Sequence, residues 1–157
     1  MNKLLLTVAF IFSLNIAAIA SDQKPLFKSE GMRVISGAFD SEEINHINVV
    51  LNKVNGREKP TSILVQFSVL TSGTNYSKTM KIDSIRKEVC GSTEYIAKND
   101  DINLYDEKIV IFDNRERVCK DFRPYQWEVT VISKALGNGV DLSDEVVFGG
   151  WVVPANE

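Results

Sequence analysis

The chain has 157 residues, of which 44% are hydrophobic, with 18 basic and 21 acidic side chains. This length suits one domain with its own core and is too short for two. The net charge of −3 argues against nucleic acid as the main partner, because binding to phosphate backbones depends on a surplus of Lys and Arg.

The first residues have the organisation of a Sec-type signal peptide. Lys3 provides a positive start, Leu4–Ile16 form a short apolar core, and Ala18–Ala20 is a small-x-small cleavage site. The apolar run is shorter than the roughly 18 residues that span a bilayer, so we expect cleavage rather than anchoring. The sequence therefore predicts a leader at 1–20, one domain at 21–157 without a membrane anchor, and a periplasmic or secreted location.

The first part of the predicted domain has mixed signals. Residues 21–31 are mostly polar and charged, and we expect them to form a loose lead-in. Residues 41–55 are ambiguous, because their start has the composition of a helix N-terminus while Ile47, Val49 and Leu51 alternate as in a strand. The many asparagines disfavour a helix, so we expect a strand, with one short helix as the alternative.

Strand patterns dominate the remainder. Alternation of apolar residues in 63–70 and 125–131 predicts two central strands, and 108–112 and 146–153 are apolar runs of strand length. Weaker strand candidates are Met32–Phe39, Thr79–Ile85 and Thr93–Ala97.

Turn-type segments separate these runs, which gives seven or eight short strands and favours a mainly β fold, an antiparallel sandwich or a barrel. Of the two, we expect the antiparallel β-sandwich. In the last strand we expect a bend or bulge at Gly149 and Gly150. Phe148 and Trp151 are expected to pack in the core.

Cys90 and Cys119 are the only cysteines. In an exported chain such a pair predicts one disulfide, which would stabilise the domain by about 3 to 4 kcal/mol through loop closure. Two cysteines and the single histidine, His46, cannot complete a zinc shell without carboxylates. We therefore predict no metal site and no cofactor.

Segment 99–107 is rich in oxygen ligands that suit calcium, but it lacks the glycine and the glutamate of an EF-hand loop. We expect a solvated turn. Four carboxylates of this segment would be the candidates for acid–base hydrolysis. They are Asp100, Asp101, Asp106 and Glu107.

The most basic segment lies beside Cys119. Arg115 and Arg117 on one strand face would form a fork for an anion, and Arg123 and Tyr125 follow closely. Because acidic residues are interleaved, mutual pairing is the default interpretation. These four residues are nevertheless the predicted binding surface.

No catalytic residue is predicted, because His46 has no nucleophile motif near it in sequence. The features together predict a small exported, non-enzymatic binding or interaction module, whose partner would be a protein or a glycan. The alternatives are a small hydrolase that uses carboxylates and a structural envelope protein that self-associates through an edge strand.

Overall fold

The alternating segments form β-strands in a computed structural model of the protein, which describes residues 22–40, 42–98, 107–120, 123–132 and 145–155. All regular elements of this part are strands. They are β1 (Gln23–Gly37), β2 (Ile44–Val54), β3 (Ser62–Val69), β4 (Thr74–Lys87), β5 (Thr93–Lys98), β6 (Lys108–Asp113), β7 (Trp127–Ile132) and β8 (Glu145–Pro154). Within the described ranges, no helix is long and apolar enough to cross a membrane. The predicted leader at 1–20 lies outside them.

Each strand pairs antiparallel with the next one along the chain, and β8 pairs with β1, so the sheet closes into an eight-stranded barrel. The prediction of a mainly β, antiparallel fold is confirmed. The two separate sheets of a sandwich are not clearly present, and the closed barrel replaces that prediction.

Two long strands explain the closure. β1 pairs with β2 up to Lys28 and with β8 from Phe27 onwards, and β4 pairs with β3 up to Lys81 and with β5 from Ile82 onwards. A strand that bends and changes partner carries hydrogen bonding around a corner. The two halves that would form a sandwich therefore remain one sheet.

The loose lead-in predicted at 21–31 is wrong, because β1 occupies most of this segment. Between Glu30 and Arg33 the register with β8 shifts, and Gly31 at this point has a φ of 60°. A glycine in the left-handed region is the usual way to build such a bulge. The polar residues that suggest a loop lie on the solvent side of a bent strand.

The ambiguous segment 41–55 contains strand β2, as favoured, and its described residues 42–55 contain no helix. Its register with β3 shifts between Asn45 and Asn48. His46, inside this irregularity, is exposed and has a positive φ of 51°.

The inner face of the barrel is filled by apolar side chains. Phe67 of β3 stacks on Tyr76 of β4 with ring centroids 4.7 Å apart and contacts Phe148 of β8 at 5.2 Å. Phe148 and Trp127 are completely buried. Eight strands enclose a space that side chains can fill, and the described inward residues form one hydrophobic core cluster.

The glycines of β8 have a different role from the one predicted. The register of β8 with β7 runs through Gly149 and Gly150 without a shift, so no bulge forms there with β7. A Cβ on Gly149 would overlap the ring of Tyr125, and one on Gly150 would overlap the sulfur of Met32. The two glycines make room for side chains on opposite faces of the strand.

Three hairpin loops meet at one end of the barrel, those between β2 and β3, between β4 and β5, and between β6 and β7. The second contains Cys90 and the third contains Cys119. The predicted disulfide joins these residues, with their Cα atoms 5.2 Å apart. We call this the disulfide end.

Candidate functional site

A recess of about 570 Å³ opens at the disulfide end. Its walls come from β1, β4, β5 and β6, from the turn before β3 and from the start of the β6–β7 loop. We call it the mouth recess. Residues that define it are Phe27, Lys59, Ile85, Arg86, Tyr95 and Arg115.

A carboxylate and a guanidinium form one wall of the mouth recess. The inward-facing positions Ile109 and Ile111 of β6 are followed in the same alternation by Asp113, which is only 6% exposed. Arg115 donates hydrogen bonds from Nε to Oδ1 of Asp113 at 2.9 Å and from Nη2 to Oδ2 at 2.6 Å. Its guanidinium also lies over the ring of Phe27, with Cζ 4.0 Å from the ring centroid. Bidentate pairing and stacking together fix the plane of the guanidinium.

Two polar side chains of the mouth recess, Tyr95 and Arg115, have pKa values that are raised above their ordinary values. Burial raises the pKa of Tyr95, and the negative charge of Asp113 adds to the effect. Hydrogen bonding to Asp113 raises the pKa of Arg115, although burial opposes this. At neutral pH the recess therefore presents a charged guanidinium and a neutral phenol, and both can donate hydrogen bonds.

The disulfide holds the loop that carries Arg115. The backbone N–H of Val118 donates to the carbonyl of Cys90 at 2.8 Å, directly beside the cross-link. Gly91 has a φ of 90°, and a Cβ there would lie 2.6 Å from the carbonyl oxygen of Glu116. The two loops are thus packed closely, and Arg115 is fixed at both its backbone and its side chain.

The four residues of the predicted binding surface do not form one site. Arg115 lines the mouth recess, whereas Arg117 donates from Nη1 to Oγ of Ser92 at 3.1 Å. Arg123 pairs with Glu128 at 2.8 Å, and Arg117 and Arg123 border a separate recess of about 240 Å³. Of the pairing expected as the default, Arg115–Asp113 is present, whereas Arg123 pairs outside the segment. Arg115 and Arg117 contact different groups.

Tyr125, the fourth predicted residue, lies on the outer wall. Its hydroxyl accepts a hydrogen bond from Nε of Arg33 at 3.0 Å, and its ring meets Trp151 in a T-shaped contact at 6.1 Å. Trp151 is 46% exposed, so its predicted core position is wrong. Because Phe148 of the same strand faces inward, as predicted, strand alternation turns Trp151 outward.

Sequence reasoning missed the partners of Arg115. The strand predicted at 108–112 ended one residue before Asp113, but the alternation of Ile109 and Ile111 extends to Asp113 and marks it as an inward position. Phe27 lay in the supposed lead-in, and Tyr95 in a weak strand candidate. The long-range closure of β1 against the barrel, which no local pattern reveals, brings Phe27 to Arg115.

The carboxylates predicted as candidates for hydrolysis are described only in part. Asp100, Asp101 and Asp106 lie outside the described residues, and Glu107 forms an ion pair with Lys78 at 2.5 Å. Among the described residues, no cluster of three or more His, Cys, Asp or Glu side chains could hold a metal ion.

Comparisons with protein-family models, with curated protein sequences and with solved structures found no match for this chain. The geometry of the mouth recess is therefore the basis for a functional proposal.

Proposed function

We propose that the protein is a small exported, non-enzymatic binding protein that takes up its ligand in the mouth recess. The observation that carries the proposal is a recess of about 570 Å³ whose charged wall, Arg115, is held by Asp113, by Phe27 and by the adjacent disulfide. Sites for small ligands have volumes of about 300 to 1,000 Å³ and place a few polar groups among apolar walls.

Two physical arguments support this location. The barrel interior is filled by Phe67, Phe148 and Trp127, so a ligand has more room at the mouth than inside. A wall that is already ordered loses little conformational entropy when a ligand arrives. Export is supported by the leader-like pattern at 1–20 and by the disulfide, which persists in oxidising compartments.

The dimensions of the recess suit a small molecule, or one protruding group of the protein or glycan partner expected from the sequence. Self-association through an edge strand has less support, because every strand of the described barrel has a bonded neighbour on both sides. Hydrolysis by the carboxylates of segment 99–107 would have to use Asp100, Asp101 or Asp106, since Glu107 is paired with Lys78.

A titration with the neutral fluorescent dye N-phenyl-1-naphthylamine tests mouth binding. We expect saturable, one-to-one binding to the oxidised protein. Ile85→Asn replaces a half-exposed apolar wall and should weaken dye binding about tenfold. Leu70→Asn is the matched control, because Leu70 is exposed in the turn at the opposite end of the barrel and should leave the affinity unchanged.

Both variants must keep the urea midpoint of the wild type for this comparison. Absence of saturable binding, or equal weakening by both substitutions, would contradict a ligand site in the mouth recess.

A further inference from the structure

The carboxylates that line the mouth recess are largely neutralised by the protein itself. Asp113 receives the bidentate hydrogen bonds of Arg115, and Glu116 forms an ion pair with Lys87 at 2.5 Å. These two negative charges therefore contribute little repulsion toward an incoming anion.

The remaining charges of the lining have a positive surplus. Lys59 and Arg86 form no ion pair with another described residue. Besides Asp113 and Glu116, the described lining contains one further carboxylate, Glu58. Arg86 and Lys59 are exposed, so their side chains can reorient toward a bound group. The recess thus offers two exposed cations beside one fixed cation.

Arg115 retains hydrogen-bonding capacity after pairing with Asp113. A guanidinium has five N–H groups in a planar fork, and the pair uses one on Nε and one on Nη2. Both N–H groups of Nη1 remain outside this pair. The guanidinium stacks on Phe27 and its side chain is only 29% exposed, so a hydrogen bond to an anion would be formed in a partly desolvated place, where it is stronger than in water.

Apolar walls lie beside these cations. Leu26 and Phe27 of β1 and Ile85 of β4 line the same recess, and Ile85 is 39% exposed. Exposed isoleucine next to unpaired basic groups suits a ligand that has an apolar body and an anionic group.

We propose that the ligand of the mouth recess is an amphipathic organic anion, an aromatic or aliphatic carboxylate or sulfonate of up to about bicyclic size. Its anionic group binds Nη1 of Arg115 with support from Arg86 and Lys59, and its apolar body contacts Leu26 and Ile85. This inference rests on the proposed function, since it specifies the ligand of the same recess.

The test compares two dyes that share one ring system. 1-Anilinonaphthalene-8-sulfonate carries a sulfonate, and N-phenyl-1-naphthylamine lacks it. With the oxidised protein, we expect the sulfonate to bind about tenfold more tightly than the neutral dye. Its advantage should shrink as salt is added, because salt screens exposed charges.

Two substitutions test the cations of the recess, and a third is the matched control. Arg86→Gln should weaken the sulfonate about threefold and leave the neutral dye unchanged. Arg115→Gln should weaken the sulfonate more strongly, but it also removes the partner of Asp113 and can affect folding. Lys98→Gln removes the same charge at the opposite end of the barrel and should change neither affinity.

The outcomes separate the two proposals. The preference for anions would be overturned by equal affinity of the two dyes, or by equal effects of Arg86→Gln and Lys98→Gln on the affinity for the sulfonate. In that case, Ile85-dependent binding of the neutral dye would still support the mouth site. If neither dye binds in an Ile85-dependent way, both the proposed function and this inference are wrong.

Discussion

A carboxylate at an inward position of a barrel strand is costly unless a cation neutralises it. Asp113 meets this condition through Arg115, which approaches from the loop that follows β6 and satisfies both carboxylate oxygens. Arg115 in turn is held in place by Asp113 and Phe27. One residue pair therefore closes the apolar core and orients the cation of the mouth recess.

Asp113→Asn should lower the free energy of unfolding by about 2 kcal/mol, because Arg115 loses a charge-assisted, partly buried partner. Urea unfolding of the oxidised protein measures this. The matched control is Glu116→Gln, which breaks the exposed pair with Lys87 and should change stability little. Equal losses in the two variants would show that the Asp113 pair has no special role.

Tyr95 predicts a dependence of stability on alkaline pH. Its pKa is raised in the folded protein by burial and by Asp113, so the folded state holds the phenol proton more tightly than the unfolded state does. The resulting stabilisation is complete below the ordinary tyrosine pKa of about 10 and is lost as pH rises through the folded-state pKa.

Unfolding free energies measured from pH 8 to about pH 11 should therefore fall more steeply for the wild type than for Tyr95→Phe. Parallel curves for the two proteins would contradict the assignment to Tyr95. Other tyrosines and lysines titrate in both proteins, so the difference between the curves isolates this group.

At the scale of elements, the loops of the disulfide end are the part that local sequence predicts least well. The pairing of Cys90 and Cys119 followed from export and cysteine count, but its structural consequence did not. The disulfide places the β6–β7 loop, and with it Arg115, against the β4–β5 loop. A cross-link thus shapes one wall of the recess.

Replacing both cysteines by serine should lower the free energy of unfolding by about 3 to 4 kcal/mol through the gain in unfolded-chain entropy. It should also weaken dye binding in the mouth recess, since the loop that carries Arg115 loses its anchor. Urea unfolding and dye titration of the double variant measure the two effects. Unchanged binding in a folded variant would mean that Asp113 and Phe27 position Arg115 without the disulfide.

Strand content could be predicted from the sequence because period-2 alternation is a local property. It located β3 and β6 to within two residues at each end, and β2 on the favoured interpretation. The bent part of β1 was missed because its outward residues are charged.

Barrel closure could not be distinguished from a sandwich because strand partners are set by bulges and corners that leave no composition signal. Arg115 was identified, but its partners come from β1 and from the last residue of β6.

At the scale of the whole molecule, closure has a consequence for association. Open sheets present unpaired N–H and C=O groups that can recruit another chain, and a closed barrel removes them. The β1–β8 seam is therefore the contact that protects all the other strands. Trp151 lies in this seam opposite Glu30 of β1, and its side chain is exposed on the outer wall.

We expect the oxidised protein to be monomeric, with a light-scattering mass and a Trp151 emission that do not change with concentration. Val147→Pro provides the contrast: Val147 pairs with Ser36 of β1 and Thr130 of β7, and proline removes a ladder N–H at this position. Opening the ladder should produce association that grows with concentration while circular dichroism still reports β-structure. A wild-type mass that rises with concentration would contradict the expectation that closure of the barrel prevents association.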